Sequence, residues 1–340
     1  MCAHTKRMVR LAVTIKDIAR ICNVSEGTVD RAVNHRFGIK PETKERVLKV
    51  ARELNYKPNK IAQSLAIGST KTIGIMCFDL ENNYFASLVD VIEGIAKNEG
   101  YFINLILTHG DPKKEREGIA YLEERHVDGI VLFSVCKDAD YSTYLQSLGI
   151  PIVTIYNRIS EDFTFIGVDA KKAMRDAVKY IAGKGYERIL FLNAKITSKK
   201  KQGMNVYTLQ ERQDGYLQGL REIGLHDPIV LEGLDEEAVS SAICANSGRR
   251  TAILCISDMY AVSVLELCKK KHWDVPGDVG IMGYDNMDML QYIAPRICSV
   301  GYDVHLLGKQ LVTVLLETMC SDAPSSDHMM DYCFTDGESL

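Results

Sequence analysis

From residue 71 onward, short apolar runs alternate with amphipathic stretches, and no other feature narrows the possible folds as much. The runs are IGIMCF (73–78), FINLIL (102–107), GIVLFSV (129–135), PIVTIY (151–156), RILFLN (188–193), AILCIS (252–257) and VGIMGYD (279–285). Runs this short, apolar throughout and bounded by polar residues, read as strands buried on both faces. Between them, 85–99, 113–124, 171–183, 212–223 and 259–270 carry apolar residues at helical spacing. Helices that alternate with strands cover both faces of a parallel sheet, so a doubly wound α/β fold is expected. About a dozen elements divide naturally into two such lobes.

Doubly wound sheets bind ligands beyond the carboxyl ends of their strands. The polar residues just past the expected strand ends are Asp79, Asn157, Arg158, Ser257, Asp258 and Asp285, and Arg212 opens an expected helix. Some have a plainer use: Asp258 serves equally well as a helix cap and Asp79 as a turn cap.

The first seventy residues follow a different pattern. Thr14 with Asp17 forms a capping-box-like start, and Ile15, Ile18, Ala19 and Cys22 then recur on one helical face. Asn23 and Val24 make a tight turn, and Ser25 is a good N-cap for a second helix from 26 to about 34, with Val29, Ala32 and Val33 inward. Pro41 suits the first position of a third helix, whose stripe is Val47, Val50, Ala51 and Leu54. Two short helices across such a turn are a helix-turn-helix. The next segment, NKIAQSLA (59–66), is helix-compatible, yet helices below about 12–15 residues are marginal in water, so it needs help to fold.

Charge separates the two regions. Residues 1–71 hold 15 Lys+Arg against 6 Asp+Glu, net +9, whereas the remainder is net −13 within an overall −4. A basic head suits phosphate neutralisation and predicts affinity that falls steeply with salt, while an acidic body stays off nucleic acid. No apolar run reaches the roughly 18 residues that span a bilayer. Residues 1–13 lack the apolar core of a secretory signal, so no membrane association and a cytoplasmic location are expected. The ten cysteines are scattered singly, Cys77, Cys136, Cys255 and Cys298 within apolar runs, and read as buried reduced thiols. Neither a dinucleotide nor a P-loop glycine pattern is present, nor His/Cys spacing for zinc, so no cofactor, no metal and no enzymatic activity are expected.

The segments SEGTVDRAVN and KPETKERVLKVARELNYKPNKIAQSLA resemble the DNA-binding head of the lactose-repressor (LacI/GalR) family of bacterial regulators. The resemblance implies that the second helix enters the major groove, with Glu26, Gly27 and Arg31 toward base edges and Ser25, Thr28 and Asn34 on the backbone. Arg31 is the best base reader, because a guanidinium can bond guanine O6 and N7 together. It further implies a hinge helix that pairs with its copy in the minor groove, using Asn59, Ala62 and Leu65, the last as a wedge between bases. Three residues depart from the family pattern: Asp30, which needs a basic neighbour such as Arg31, Gly27, which weakens the helix, and Lys40, a poor N-cap.

Residues 72–340 resemble the periplasmic sugar-binding-protein fold that forms the core of the same regulators, through LENNYF (80–85), ERQDGY (211–216), CISDMYA (255–261), MGYDNMD (282–288) and SVGYD (299–303). By resemblance, Arg212 and Asp285 grip a ligand, Asn157, Arg158, Ser257, Asp258 and Tyr302 complete the ring, and Tyr84 and Phe85 stack on its flat face. Phe85 is equally good as core packing. Tyr302 replaces a common amide and Ser257 a common Asn. The stretch 195–209, with Lys199, Lys200 and Lys201 in a row, reads as a long solvated connection, or as a closure over an anionic ligand.

The expected organisation is a 1–13 extension, a 14–58 helix-turn-helix domain, a 59–71 hinge and a 72–340 effector-binding core, its lobes near 72–158 with 300–340, and 159–299. The expected function is a homodimeric repressor that reads a pseudo-palindromic operator and responds to a small ligand, a carbohydrate by resemblance. A transport solute-binding protein would instead carry a signal peptide and no basic head.

Overall fold

The computed structural model describes residues 13–57, 68–245, 248–321 and 324–340. Asn59, Ala62 and Leu65, on which the hinge expectation rests, lie outside the described residues. The chain forms two compact units, Met1–Thr70 and Lys71–Leu340.

In the first unit, α1 (Ile15–Cys22), α2 (Glu26–Val33) and α3 (Pro41–Glu53) enclose a small core in which Ile18, Val29, Ala32 and Val47 are fully buried. Thr14 and Asp17 make a reciprocal capping box, and Asn23, at φ 50°, closes α1 in the left-handed region. Ser25 caps α2 by accepting the Thr28 amide, whereas Lys40 gives α3 no side-chain cap.

The second unit contains two six-stranded sheets. The strands are β1 (Thr72–Cys77), β2 (Phe102–Leu107), β3 (Gly129–Leu132), β4 (Ile152–Ile155), β5 (Thr164–Val168), β6 (Arg188–Asn193), β7 (Ile229–Glu232), β8 (Thr251–Cys255), β9 (Gly280–Tyr284), β10 (Cys298–Gly301), β11 (Asp327–Met330) and β12 (Cys333–Thr335). The helices are α4 (Asn83–Asn98), α5 (Pro112–Glu124), α6 (Ala139–Ser147), α7 (Ala170–Gly183), α8 (Ile196–Lys201), α9 (Tyr207–Glu222), α10 (Glu236–Cys244), α11 (Asp258–Lys271) and α12 (Val304–Cys320). The first sheet runs β11-β5-β4-β3-β1-β2 and the second β12-β10-β9-β8-β6-β7. All pairings are parallel except β10 with β12.

This topology corrects the expected lobe division. β5 belongs to the first sheet and β10 and β12 to the second, while α12 packs back on the first through Leu307, Leu311 and Leu315. The chain therefore crosses between lobes after β5, after β10 and between β11 and β12, and the strand order reverses between β1 and β3 and between β6 and β8. Those reversals open the crevices where ligands sit.

The expected solvated connection at 195–209 is a second correction. It contains α8 and the first residues of α9, which begins at Tyr207 rather than 212. The Asn205 amide donates to the Val135 carbonyl at 2.6 Å, so the segment docks on the first lobe.

Close helix packing sets the position of α9. A Cβ on Gly215 would stand 2.2 Å from the Lys171 carbonyl oxygen, and one on Gly219 would stand 2.7 Å from Val178 Cβ. Backbone cannot yield as a flexible side chain can, so Gly215→Ala should destabilise the core by roughly 1–3 kcal/mol through forced separation of α7 and α9. A urea midpoint unchanged from the parent protein would refute this packing.

Candidate functional site

On the head, burial of Val29 and Ala32 turns Ser25, Glu26, Gly27 and Arg31 to solvent on the free face of α2. Thr28 is half-buried, and its hydroxyl lies 2.9 Å from that of Ser25. The expected partner of Asp30 is corrected: its carboxylate accepts from Asn34 at 2.8 Å and pairs with Arg36 at 3.3 Å, not with Arg31. The acid is thereby neutralised locally, and no ion pair among the described residues involves Arg31. Asn34, expected on the DNA backbone, has its side-chain amide turned to Asp30.

In the core, the ends of four strands converge with α9. Tyr156 follows β4 at φ 66° and Asp285 follows β9 at φ 105°. Non-glycine residues in this region are strained, and here both project side chains into the space between the lobes. Between them lies Arg212 from α9, its side chain 5% exposed. Its guanidinium stacks 3.6 Å from the Tyr284 ring centroid, lies 3.5 Å from Asp285 Oδ1 and donates through Nη1 to the Ile256 carbonyl. Tyr302 donates to the same Asp285 oxygen at 3.1 Å. Arg212 Nε and the Tyr284 hydroxyl are buried without a hydrogen-bond partner among the described residues, a costly condition that a bound polar molecule would relieve.

The electrostatics follow from burial. Desolvation lifts the Asp285 carboxyl to about 6 against the pull of Arg212 and Tyr302. Burial also opposes the charge of Arg212, but Tyr284, Asp285 and Tyr156 outweigh it, and the guanidinium stays charged. Beneath this pair, Asp258 is fully buried; desolvation, then the charge of Asp285, raises its carboxyl to about 8.

Arg212 divides the cleft into two compartments. One, about 280 Å³, is bordered by residues at the ends of β1, β3, β6 and β8, namely Asp79, Val135, Ala194 and Ser257, together with Phe78, Phe85, Lys199 and Asp285. These are the strands that flank the reversal in each sheet. The other, about 250 Å³, is bordered by Arg158, Asp169, Tyr207, Glu211, Tyr284 and Tyr302. Tyr84, Tyr156 and Arg212 face both.

The structure brings most of the expected residues to this cleft. Tyr84, Phe85, Arg158, Arg212, Ser257, Asp285 and Tyr302 all border a compartment. Phe85 is core as well, 7% exposed, with its ring 5.4 Å from Phe78 and 5.7 Å from Phe133. Two expected ligand residues are otherwise engaged. Asn157 borders the larger compartment, but its amide donates to the Ser134 carbonyl at 2.8 Å and the Asn205 carbonyl at 3.3 Å and accepts the Thr208 amide at 3.2 Å. With the Thr208 hydroxyl donating to the Tyr156 carbonyl, it clasps the lobes together. Asp258 neither caps α11 nor faces a compartment: it accepts from Ser299 Oγ at 2.6 Å and from the Met287 amide at 2.7 Å, bracing the turn that carries Asp285.

Sequence reasoning missed Tyr156 and Tyr284, because each closes an apolar run and reads as strand. Asn205 and Thr208 were absorbed into a supposed loop. Only their pairing across the cleft reveals them, and that pairing spans about fifty residues of chain.

Residues 14–59 match the family described as bacterial regulatory proteins, lacI family, and residues 178–340 match a periplasmic binding protein-like domain. The chain is 31% identical over 312 residues to the HTH-type transcriptional repressor PurR of Vibrio campbellii, covering 89% of this chain and 91% of the relative. It is 29% identical over 317 residues to catabolite control protein A of Staphylococcus epidermidis, covering 89% and 92%. A solved lac repressor dimer, bound to operator and the anti-inducer ONPF, has the same fold, with TM-score 0.83 at 20% identity over 97% of this chain and 99% of that one. With a helix-turn-helix head, a two-lobed core around a buried Arg-Asp pair, and relatives matched over nearly their whole length, the chain belongs to the lacI family of bacterial regulatory proteins.

Proposed function

We propose that this chain is a transcriptional repressor that binds operator DNA as a homodimer and is controlled by a sugar or sugar derivative held between its core lobes. Residues 14–58 act as the DNA reader, 59–71 as the hinge and 72–340 as the sensor. The reader presents Arg31 and Glu26 on the free face of α2, and a symmetric pair of readers suits an inverted-repeat site. The sensor is the cleft around Arg212. One observation carries the assignment: a buried Arg-Asp pair with an unsatisfied Arg212 Nε, placed between two doubly wound lobes in a member of this family. No helix among the described residues is long and apolar enough to cross a membrane, and the chain acts in the cytoplasm, where operator DNA is. A ligand that binds one arrangement of the lobes better shifts operator affinity by its differential affinity, roughly 1–3 kcal/mol in typical cases.

The test is selection of duplexes from a randomised pool, followed by fluorescence anisotropy on the winners. An inverted repeat should emerge, and its affinity should fall by roughly 10³–10⁵ between 50 and 200 mM salt if six to ten phosphates are neutralised. Arg31→Ala should cost roughly 1–3 kcal/mol on the selected site and relax discrimination at one base position. No enrichment of an inverted repeat would sink the reading.

A further inference from the structure

The two compartments differ in the charge they leave uncompensated. In the larger one, two carboxylates face two cations, Lys199 and Arg212, and each carboxylate has one oxygen engaged. Asp79 accepts the Glu81 and Asn82 amides at 3.0 and 3.1 Å, and Asp285 faces Arg212 and Tyr302. The basic groups are not matched in the same way. Lys199, on the last turn of α8, borders the compartment half-buried, and no ion pair among the described residues includes it. Burial lowers its pKa, as expected for an ammonium withdrawn from water without a counter-charge. Its neighbour Lys200 is turned away toward Gln210. Arg212, which borders both compartments, adds a second buried donor, its Nε having no acceptor among the described residues. His109 and the Asn82 amide add further polar groups, and Phe78, Phe85 and Tyr156 supply an apolar wall.

The smaller compartment has the opposite balance. Arg158 is consumed by Glu161 at 2.7 Å and by Asp327, while Asp169 and Glu211 add two acids to the lining. Burial raises the Glu211 carboxyl, the response of an acid that lacks enough positive charge nearby. An anion is repelled there and attracted on the Lys199 side.

We propose that the controlling ligand is an acidic monosaccharide derivative, carrying a carboxylate or a phosphate, whose anionic group sits between Lys199 and Arg212 while its ring lies against Phe78, Phe85 and Tyr156. This rests on the reading of the cleft as the effector site and specifies the chemistry of that site. A volume of about 280 Å³ suits a ligand of one sugar ring. The anion supplies the counter-charge and the acceptor that Lys199 and Arg212 lack, and the ring exchanges water for aromatic surface.

The experiment is calorimetric titration of the full chain with D-galacturonate, D-glucuronate and D-glucose 6-phosphate, against D-glucose and inorganic phosphate. The expected result is that at least one acid binds ten-fold or more tighter than D-glucose, the carboxylate and phosphate arms showing which anion is preferred. Lys199→Met should weaken that acid at least ten-fold, and Lys201→Met, on the exposed end of the same helix, should not. Equal binding of D-glucose and the acids, or an acid unaffected by Lys199→Met, overturns the anionic assignment and leaves the cleft standing. No binding by any probe also overturns it. Ser257→Trp, which fills the compartment, separates the two readings: an acid that binds this variant as well as the parent sits elsewhere, and the cleft reading itself falls.

Discussion

Replacing Arg212 by Met should lower the stability of the core by roughly 3–5 kcal/mol, the cost typical of removing one partner from a buried ion pair. The substitution leaves Asp285, 5% exposed, with only the Tyr302 hydroxyl, and it removes the donor to the Ile256 carbonyl and the cation over Tyr284. Most of that loss comes from the abandoned carboxylate. The double variant Arg212→Met, Asp285→Asn should therefore recover a large part of it, since two neutral groups of similar volume need no counter-charge. Urea unfolding of the single and double variants at pH 7 measures both terms. A loss below about 1 kcal/mol in the single variant would show that the pair carries little of the core's stability. A buried pair is seldom better for stability than an apolar one, and on the proposed reading of the cleft both variants should lose effector binding.

The second large effect is on pH. Desolvation raises the Asp258 carboxyl to about 8 and the Asp285 carboxyl to about 6, and burial likewise raises Glu115. In the unfolded chain such carboxyls titrate near 4. Between about pH 4 and pH 8 the folded protein therefore holds a proton on Asp258 that the unfolded chain has released, and the stabilisation present at low pH is lost as pH rises. One such proton contributes a slope of up to about 1.4 kcal/mol per pH unit. Stability should thus fall from pH 5 to pH 8, more steeply below about 6, where Asp285 adds to it, and level off above 8. The acids whose pKa is lowered, Asp17, Asp176, Glu222 and Asp336, act with the opposite sign only as pH falls through the ordinary carboxylate range near 4, and leave the range above about pH 5 alone. Asp258→Asn should flatten the fall between pH 6 and 8. Thermal melts across that range check it, and a melting temperature that climbs with pH would contradict the protonated Asp258.

How much of this was legible beforehand depended on whether the signal was local. The head was read nearly residue by residue, because helix starts are written in adjacent side chains such as Thr14 with Asp17 and Ser25 with Thr28. Six of the eight interior strands, all but β5 and β10, were read because burial on both faces makes them continuously apolar, as in RILFLN at 188–193. Of the four edge strands only β2 was. β7, β11 and β12 are only partly buried, and a segment such as Asp327–Met330 carries no apolar run to notice. The lobe boundaries failed for a related reason: which sheet accepts β5 or β10 depends on where the chain crosses, and crossing leaves no mark on composition.

At the site, sequence alone determined the kinds of side chain that could lie beyond the strand ends, and Arg212 and Asp285, which the family resemblance singles out together, form an ion pair in the structure. Only the tertiary structure decided which were available to a ligand. Asn157 and Asp258 have the same chemistry as good ligand groups, yet one ties the lobes together and the other braces a turn, because their partners Asn205, Thr208, Met287 and Ser299 arrive from distant parts of the chain. Hydrogen-bonding capacity belongs to the residue; whether it is already spent belongs to the fold.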